Sequence, residues 1–174
     1  MSEREWKQKR KANEISLMTL TRQPIHEIED RADLTVRPPD GARILIICAD
    51  DRITGQLGTV FRQAGFIPQT AKSITAGCAL AKSGLFQVVI STPVLGDGSW
   101  RRLVDIARHY DLGFVVVLVA STFDFNQRTE ALEDGAFDVL DSLHELPRAA
   151  EVVKRGLWVA YLKGAGPRIR QSEV

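Results

Sequence analysis

The sequence predicts an α/β fold, a (βα)5 three-layer sandwich around a five-stranded, mostly parallel sheet. Three observations lead there. From Ala42 onward, short β-branched runs alternate with longer stretches in which apolar residues recur at helical spacing. Most of the runs are apolar at consecutive rather than alternate positions, as strands covered on both faces must be. The 174 residues, 44% hydrophobic and 26% charged, have the composition of a globular domain able to bury a core without staples.

The first forty residues are mostly polar and close with Arg37-Pro38-Pro39-Asp40-Gly41, which favours extended or turn backbone and marks a boundary. Residues 1–41 are therefore read as a leader and linker. Ser2 and Glu5 have capping-box spacing there, and Trp6, Ile15, Leu17, Met18 and Leu20 could stripe a short helix, while Arg4, Lys7, Lys9, Arg10 and Lys11 equally suit a solvated basic tail. The domain, 42–163, carries strands RILIIC (43–48), FIPQT (66–70), QVVIS (87–91), GFVVVLVA (113–120) and AFDVL (136–140). Between them, 53–64 places Leu57, Val60, Phe61 and Ala64 at helical spacing; 74–82 places Cys78, Ala79 and Leu80; 100–109 places Leu103, Val104 and Ile106; 123–133 follows the long strand. A last helix, 146–162, gathers Leu146, Ala149, Ala150, Val153, Leu157, Ala160 and Tyr161 on one face before Gly164 and Pro167 stop it, leaving 164–174 as a polar tail. Any site is expected at the carboxyl ends of the strands, near the switch point of such a sheet.

Several function classes are disfavoured at once. Lys plus Arg is 23 and Asp plus Glu 22, so the net charge of +1 offers no global field for nucleic acid or an anionic membrane. The basic leader with Lys163, Arg168 and Arg170 is the only candidate grip, and no helix-turn-helix follows the last helix; specific nucleic-acid binding is not expected. The longest apolar run, 114–120, is far short of the roughly 20 residues that cross a bilayer, and the polar start has no signal-peptide core, so a cytoplasmic protein with no membrane segment is expected. Cys48 and Cys78 sit in apolar stretches that suit buried thiols in a reducing compartment, with no zinc spacing. No phosphate-binding glycine loop follows the first strand. His26, His109 and His144 are scattered, and neither Ser91 nor Ser142 has a histidine near it in sequence, which argues against a hydrolase triad. No catalytic residue, metal or cofactor is predicted.

The punctuation resembles the receiver domain of two-component response regulators over about residues 42–162. RILIICADDRITGQLGTVFRQAG is similar to that family's first strand and helix; QVVISTPVLGDGSW to its third strand and following turn; FVVVLVAS and ALEDGAFDVLDS to its fourth and fifth strand regions. The resemblance implies a CheY-like, flavodoxin-like fold with sheet order 2-1-3-4-5. It also implies phosphoryl chemistry: an aspartate ending the third strand attacks the phosphodonor, and an acidic pair after the first strand helps hold Mg²⁺. A hydroxyl and a lysine bind the phosphoryl oxygens, and an aromatic on the fifth strand moves with them.

On this chain those positions carry other residues. The acidic pair falls on Cys48 and Ala49, the nucleophile on Ser91, the hydroxyl on Val119, the switch aromatic on Val139 and the lysine on Ser142. The scaffold keeps the pattern while the pocket loses it, which predicts a pseudo-receiver acting through phosphorylation-independent protein contact. Two alternatives stay open. One is a divergent phosphoacceptor using Asp50, Asp51 or Asp97 with Mg²⁺; against it, Asp50 or Asp51 suits the cap of the first helix, and Asp97 in LGDGSW suits a turn. The other is a flavodoxin-like sensor of a small ligand. The expected contact surface for a partner, or a second copy, is the face of the fourth helix, fifth strand and fifth helix, presenting Arg128, Glu130, Asp138, Lys154, Arg155 and Trp158.

Overall fold

The computed structural model describes residues 41–164. The leader before Gly41 and the tail beyond Gly164 lie outside the described residues, and with them the possible leader helix, the basic leader residues, His26, Arg168 and Arg170. Strand β1 (Arg43–Ile47) leads to α1 (Asp51–Gln63), β2 (Ile67–Ala71), α2 (Ile74–Ala81) and β3 (Val88–Ser91). A two-residue hairpin follows, β4 (Val94–Leu95) with β5 (Gly98–Ser99), then α3 (Arg101–His109), β6 (Val115–Ala120), α4 (Phe125–Glu133) and β7 (Asp138–Asp141). A 3-10 turn, Leu146–Arg148, opens into α5 (Ala149–Leu162). The main sheet is parallel throughout, in the order β2-β1-β3-β6-β7, which is the expected 2-1-3-4-5 once the hairpin is set aside.

The strands sort their side chains by parity. Ile44, Ile46, Val88, Ile90, Val115 and Val117 face one way and pack with Leu57 and Phe61 of α1 and Val153 and Leu157 of α5. Leu45, Ile47, Val89, Val116 and Leu118 face the other way, against Ile74 and Cys78 of α2, Trp100, Leu103 of α3 and Ala131 of α4. This double burial is why β1, β3 and β6 read as unbroken apolar runs. The edge strand β2 is the exception: apart from Ala71 it is partly or largely exposed.

Caps set the helix starts. Asp50 Oδ1 accepts from the N–H of Arg52 (2.8 Å) and Ile53 (3.3 Å), Ser73 accepts from Ala76, and Asp124 and Gln127 close a reciprocal capping box on α4. Two close approaches demand glycine: a Cβ on Gly77 would sit 2.2 Å from Ile47 Cδ1, and one on Gly156 would sit 2.9 Å from Val115 Cγ2. The second explains a difference from expectation. With α5 pressed onto the sheet at Gly156, its buried line runs through Ala149, Val152, Val153, Gly156, Leu157 and Ala160, and Tyr161, one step off that line, is exposed. The start of the predicted last helix, Leu146–Arg148, is a 3-10 turn that contains Pro147.

Candidate functional site at the carboxyl end of the sheet

Register brings the sequence-derived positions to one end of adjacent strands. Ile47 pairs with Ser91, Ser91 with Leu118, Leu118 with Val139, and Ala120 with Asp141. Cys48 and Ser142 lie one residue beyond their strands, their N–H groups donating to the Ala71 and Ala120 carbonyls (3.0 and 3.1 Å). Ser91 is fully buried, and its hydroxyl donates to the Thr92 carbonyl at 2.9 Å. Val119 and Val139 are buried apolar packing, Cys48 is buried with its thiol 3.6 Å from the Asp50 carbonyl, and Ala49 is exposed. The end of the sheet thus presents a methyl, a thiol and hydroxyls where hard oxygen ligands would be needed for Mg²⁺. Among the described residues no group of three His, Cys, Asp or Glu side chains is placed to hold a metal ion.

The three aspartates of the alternative acidic site do not converge. Asp50 is committed to the amides of α1. Asp51 pairs with Lys72 Nζ at 2.9 Å in the open, both side chains mostly exposed, which makes it a weak surface contact. Asp97 lies in the β4–β5 turn, and its two oxygens accept from the N–H of Ile74 and Thr75, each at 2.8 Å. It caps α2 from across the loop. Those bonds, with Thr75 the larger contributor, hold its pKa down to about 2.

The expected contact face is rearranged. Arg128 turns inward, its guanidinium bonding the Val139 carbonyl and Glu145 Oε2 (3.1 Å to the latter). Arg155 bonds Asp138 at 2.9 Å. Glu130 belongs to the other side of α4, where it meets Arg101 of α3 at 3.1 Å, while Arg101 also reaches Asp134 at 2.7 Å. The charges expected to reach outward are therefore largely satisfied within the chain, leaving Lys154 exposed with no ion-pair partner among the described residues. Sequence reasoning missed the exposed apolar groups that remain: Phe125 (82%), Leu143 (71%) and Leu162 (78%), beside Trp158 (45%). It also missed Glu145, which joins Arg128, the Asp141 amide and Arg148 (2.9 Å); the Asp141 amide, above all, holds its carboxyl below the usual range. Asp141 is lowered in turn by a hydrogen bond with His144 and by the Leu143 N–H.

No family model matches the sequence, and no curated protein is significantly similar to it. Solved structures are similar. A response regulator receiver domain protein from Clostridium thermocellum, 19% identical, aligns over 70% of this chain and 98% of its own with a TM-score of 0.62. A CheY-like receiver domain protein from Methanospirillum hungatei, also 19% identical, covers 71% and 99% at 0.62. The chain has the receiver-domain fold. The beryllofluoride-activated NtrC4 receiver domain dimer shares it at 21% identity and a TM-score of 0.54, over 63% of this chain and 97% of that one. In the receiver fold the carboxyl end of the sheet is where the resemblance places the phosphoryl site, and in this chain that end is built from Cys48, Ala49, Ser91, Val119 and Ser142. No helix of the described residues is long and apolar enough to cross a membrane.

Proposed function

We propose that the chain is a receiver-like module of two-component signalling that works in the cytoplasm by binding a protein partner, without being phosphorylated and without catalysing a reaction. The observation that carries this reading is Ser91. A fully buried hydroxyl bonded to its neighbouring carbonyl ends β3 where a receiver would need an accessible carboxylate. The nearby aspartates support the reading, since Asp50 and Asp97 spend their oxygens on helix amides and Asp51 lies against a lysine. Restoring phosphoryl transfer would take several simultaneous replacements.

The partner contact is assigned to the α4–β7–α5 face. Phe125 and Leu132 flank Arg128 at helical spacing on α4, Leu143 lies in the turn after β7, and Trp158 and Leu162 are four apart on α5. Exposed apolar side chains beside ion pairs already closed within the chain suit an interface core that does not have to desolvate free charges. A second copy is the occupant we favour, as the NtrC4 receiver pairs with itself in its activated form. Sedimentation equilibrium of the full chain tests it: a dimer is expected, with Phe125→Glu and Trp158→Ala shifting it to monomer. A wild-type monomer at every concentration would remove the second copy and leave a different protein as the partner.

A further inference from the structure

Strand β7 ends the sheet, so one side of it has no strand neighbour. On such an edge the outward N–H and C=O groups of alternate residues form a template for an extended chain. Toward β6, Phe137 and Ser142 donate their N–H groups to the carbonyls of Val116 and Ala120. The backbone groups of Val139 and Asp141 are taken up elsewhere. The Val139 N–H donates to Oδ1 of Asp138 at 2.8 Å, and its carbonyl accepts from the Arg128 guanidinium. The Asp141 N–H donates to Glu145 Oε2 at 2.8 Å, and its carbonyl accepts from the Glu145 N–H at 2.9 Å.

Both carboxylates in this arrangement are themselves braced by arginines. Arg155 holds the second oxygen of Asp138 at 2.9 Å, Arg128 shares Glu145 Oε2, and Arg148 holds Glu145 Oε1 at 2.9 Å. The opposite edge, β2, has Pro68 as its second residue, with no N–H to offer a partner strand. One edge is thus blunted by an imino acid and the other by side chains.

We infer that Arg128, Asp138 and Glu145 form a side-chain seal on the β7 edge that denies strand pairing to a second copy of this chain, so that contacts on this face are made by side-chain packing alone. The seal is intramolecular and stands whether or not the face carries the partner proposed above.

The test compares the full-length chain with an Arg128→Ala/Glu145→Ala variant by amide hydrogen exchange and sedimentation velocity. Exchange at the Asp141 amide is expected to rise roughly tenfold, the scale of one or two lost hydrogen bonds, while the Val139 amide, still bonded to Asp138, keeps its wild-type rate; the variant's mass is expected to climb with concentration beyond that of the wild type. Arg128→Lys/Glu145→Gln, which keeps a donor for the Val139 carbonyl and an acceptor for the Asp141 N–H, is expected to behave as the wild type. Placing both sets on a Trp158→Ala background separates the two kinds of assembly, because strand pairing survives loss of Trp158 and packing on the face does not. Unchanged mass in the alanine variant, whatever the exchange shows, overturns the inference, as does equal association by the conservative variant. If the double variant does not fold, Glu145→Ala alone is read by the same criteria.

Discussion

Replacing Ser91 by aspartate puts a carboxylate where a receiver would carry its acceptor, and the structure predicts that the fold resists it. Ser91 is fully buried between β1 and β6, paired with Ile47 and Leu118. The fifth-strand lysine position is Ser142, and Lys72 is already paired with the exposed Asp51. A carboxylate with no cation in such a site has its pKa raised by desolvation, and a rise of about 3 units over the ordinary 3.9 is well within what burial produces. Each unit is worth about 1.4 kcal/mol, so the ionised form costs about 4 kcal/mol, a large share of the roughly 5–15 kcal/mol that holds a domain together. The sign follows from the raised folded value: the penalty is complete above the folded pKa and fades as pH falls toward the unfolded one. Urea unfolding followed by circular dichroism is therefore expected to show the deficit of Ser91→Asp against wild type larger by about 3 kcal/mol at pH 8 than at pH 4.5. Ser91→Ala, which loses only the bond to the Thr92 carbonyl, is expected to cost about 1 kcal/mol at both. An aspartate variant as stable as wild type at pH 8, or a deficit that does not change with pH, would refute the argument from burial.

Other consequences follow from packing and capping. Gly77→Ala drives a methyl into Ile47 and is expected to cost about 1–3 kcal/mol by overpacking, offset by about 1 kcal/mol of helix propensity; adding Ile47→Val removes the atom 2.2 Å away, so thermal melts of the double variant should show coupling rather than additive losses. Asp97→Asn weakens the cap on α2 and is expected to lower the Tm at neutral pH. Because the Asp97 pKa is depressed to about 2, its contribution is present above about 3.8 and lost as pH falls toward 2, so the gap in Tm between wild type and variant should close over that window. Cys48 and Cys78 are buried, and burial pushes the Cys78 thiol up; a thiol reagent at neutral pH is expected to label neither until the chain unfolds.

The fold was legible because its signal is local and repeated. Each buried strand announces itself as a β-branched run, and each helix by apolar residues at helical spacing, so the five main strands and the helices between them fall within a few residues of expectation. What escaped depends on contacts between distant segments. Asp97 reads as a turn residue because nothing local points to Ile74 and Thr75, twenty-odd positions earlier, as its partners. Arg128 and Glu130 look equivalent on α4, yet only the tertiary fold turns one toward Glu145 and the other toward Arg101. At the candidate site the register gathers Cys48, Ser91, Val119 and Ser142 at one end of the sheet, but the burial of Ser91 could not be read from its neighbours. An apolar run tells that a strand is covered, not whether its last residue meets solvent.

Intact mass after incubation with acetyl phosphate and Mg²⁺, beside an active receiver as control, decides whether this receiver fold takes a phosphoryl group. No added mass is expected while the control is modified. A Mg²⁺-dependent gain of one phosphoryl group, mapped to Asp50, Asp51, Ser91 or Asp97, would contradict phosphorylation-independent action.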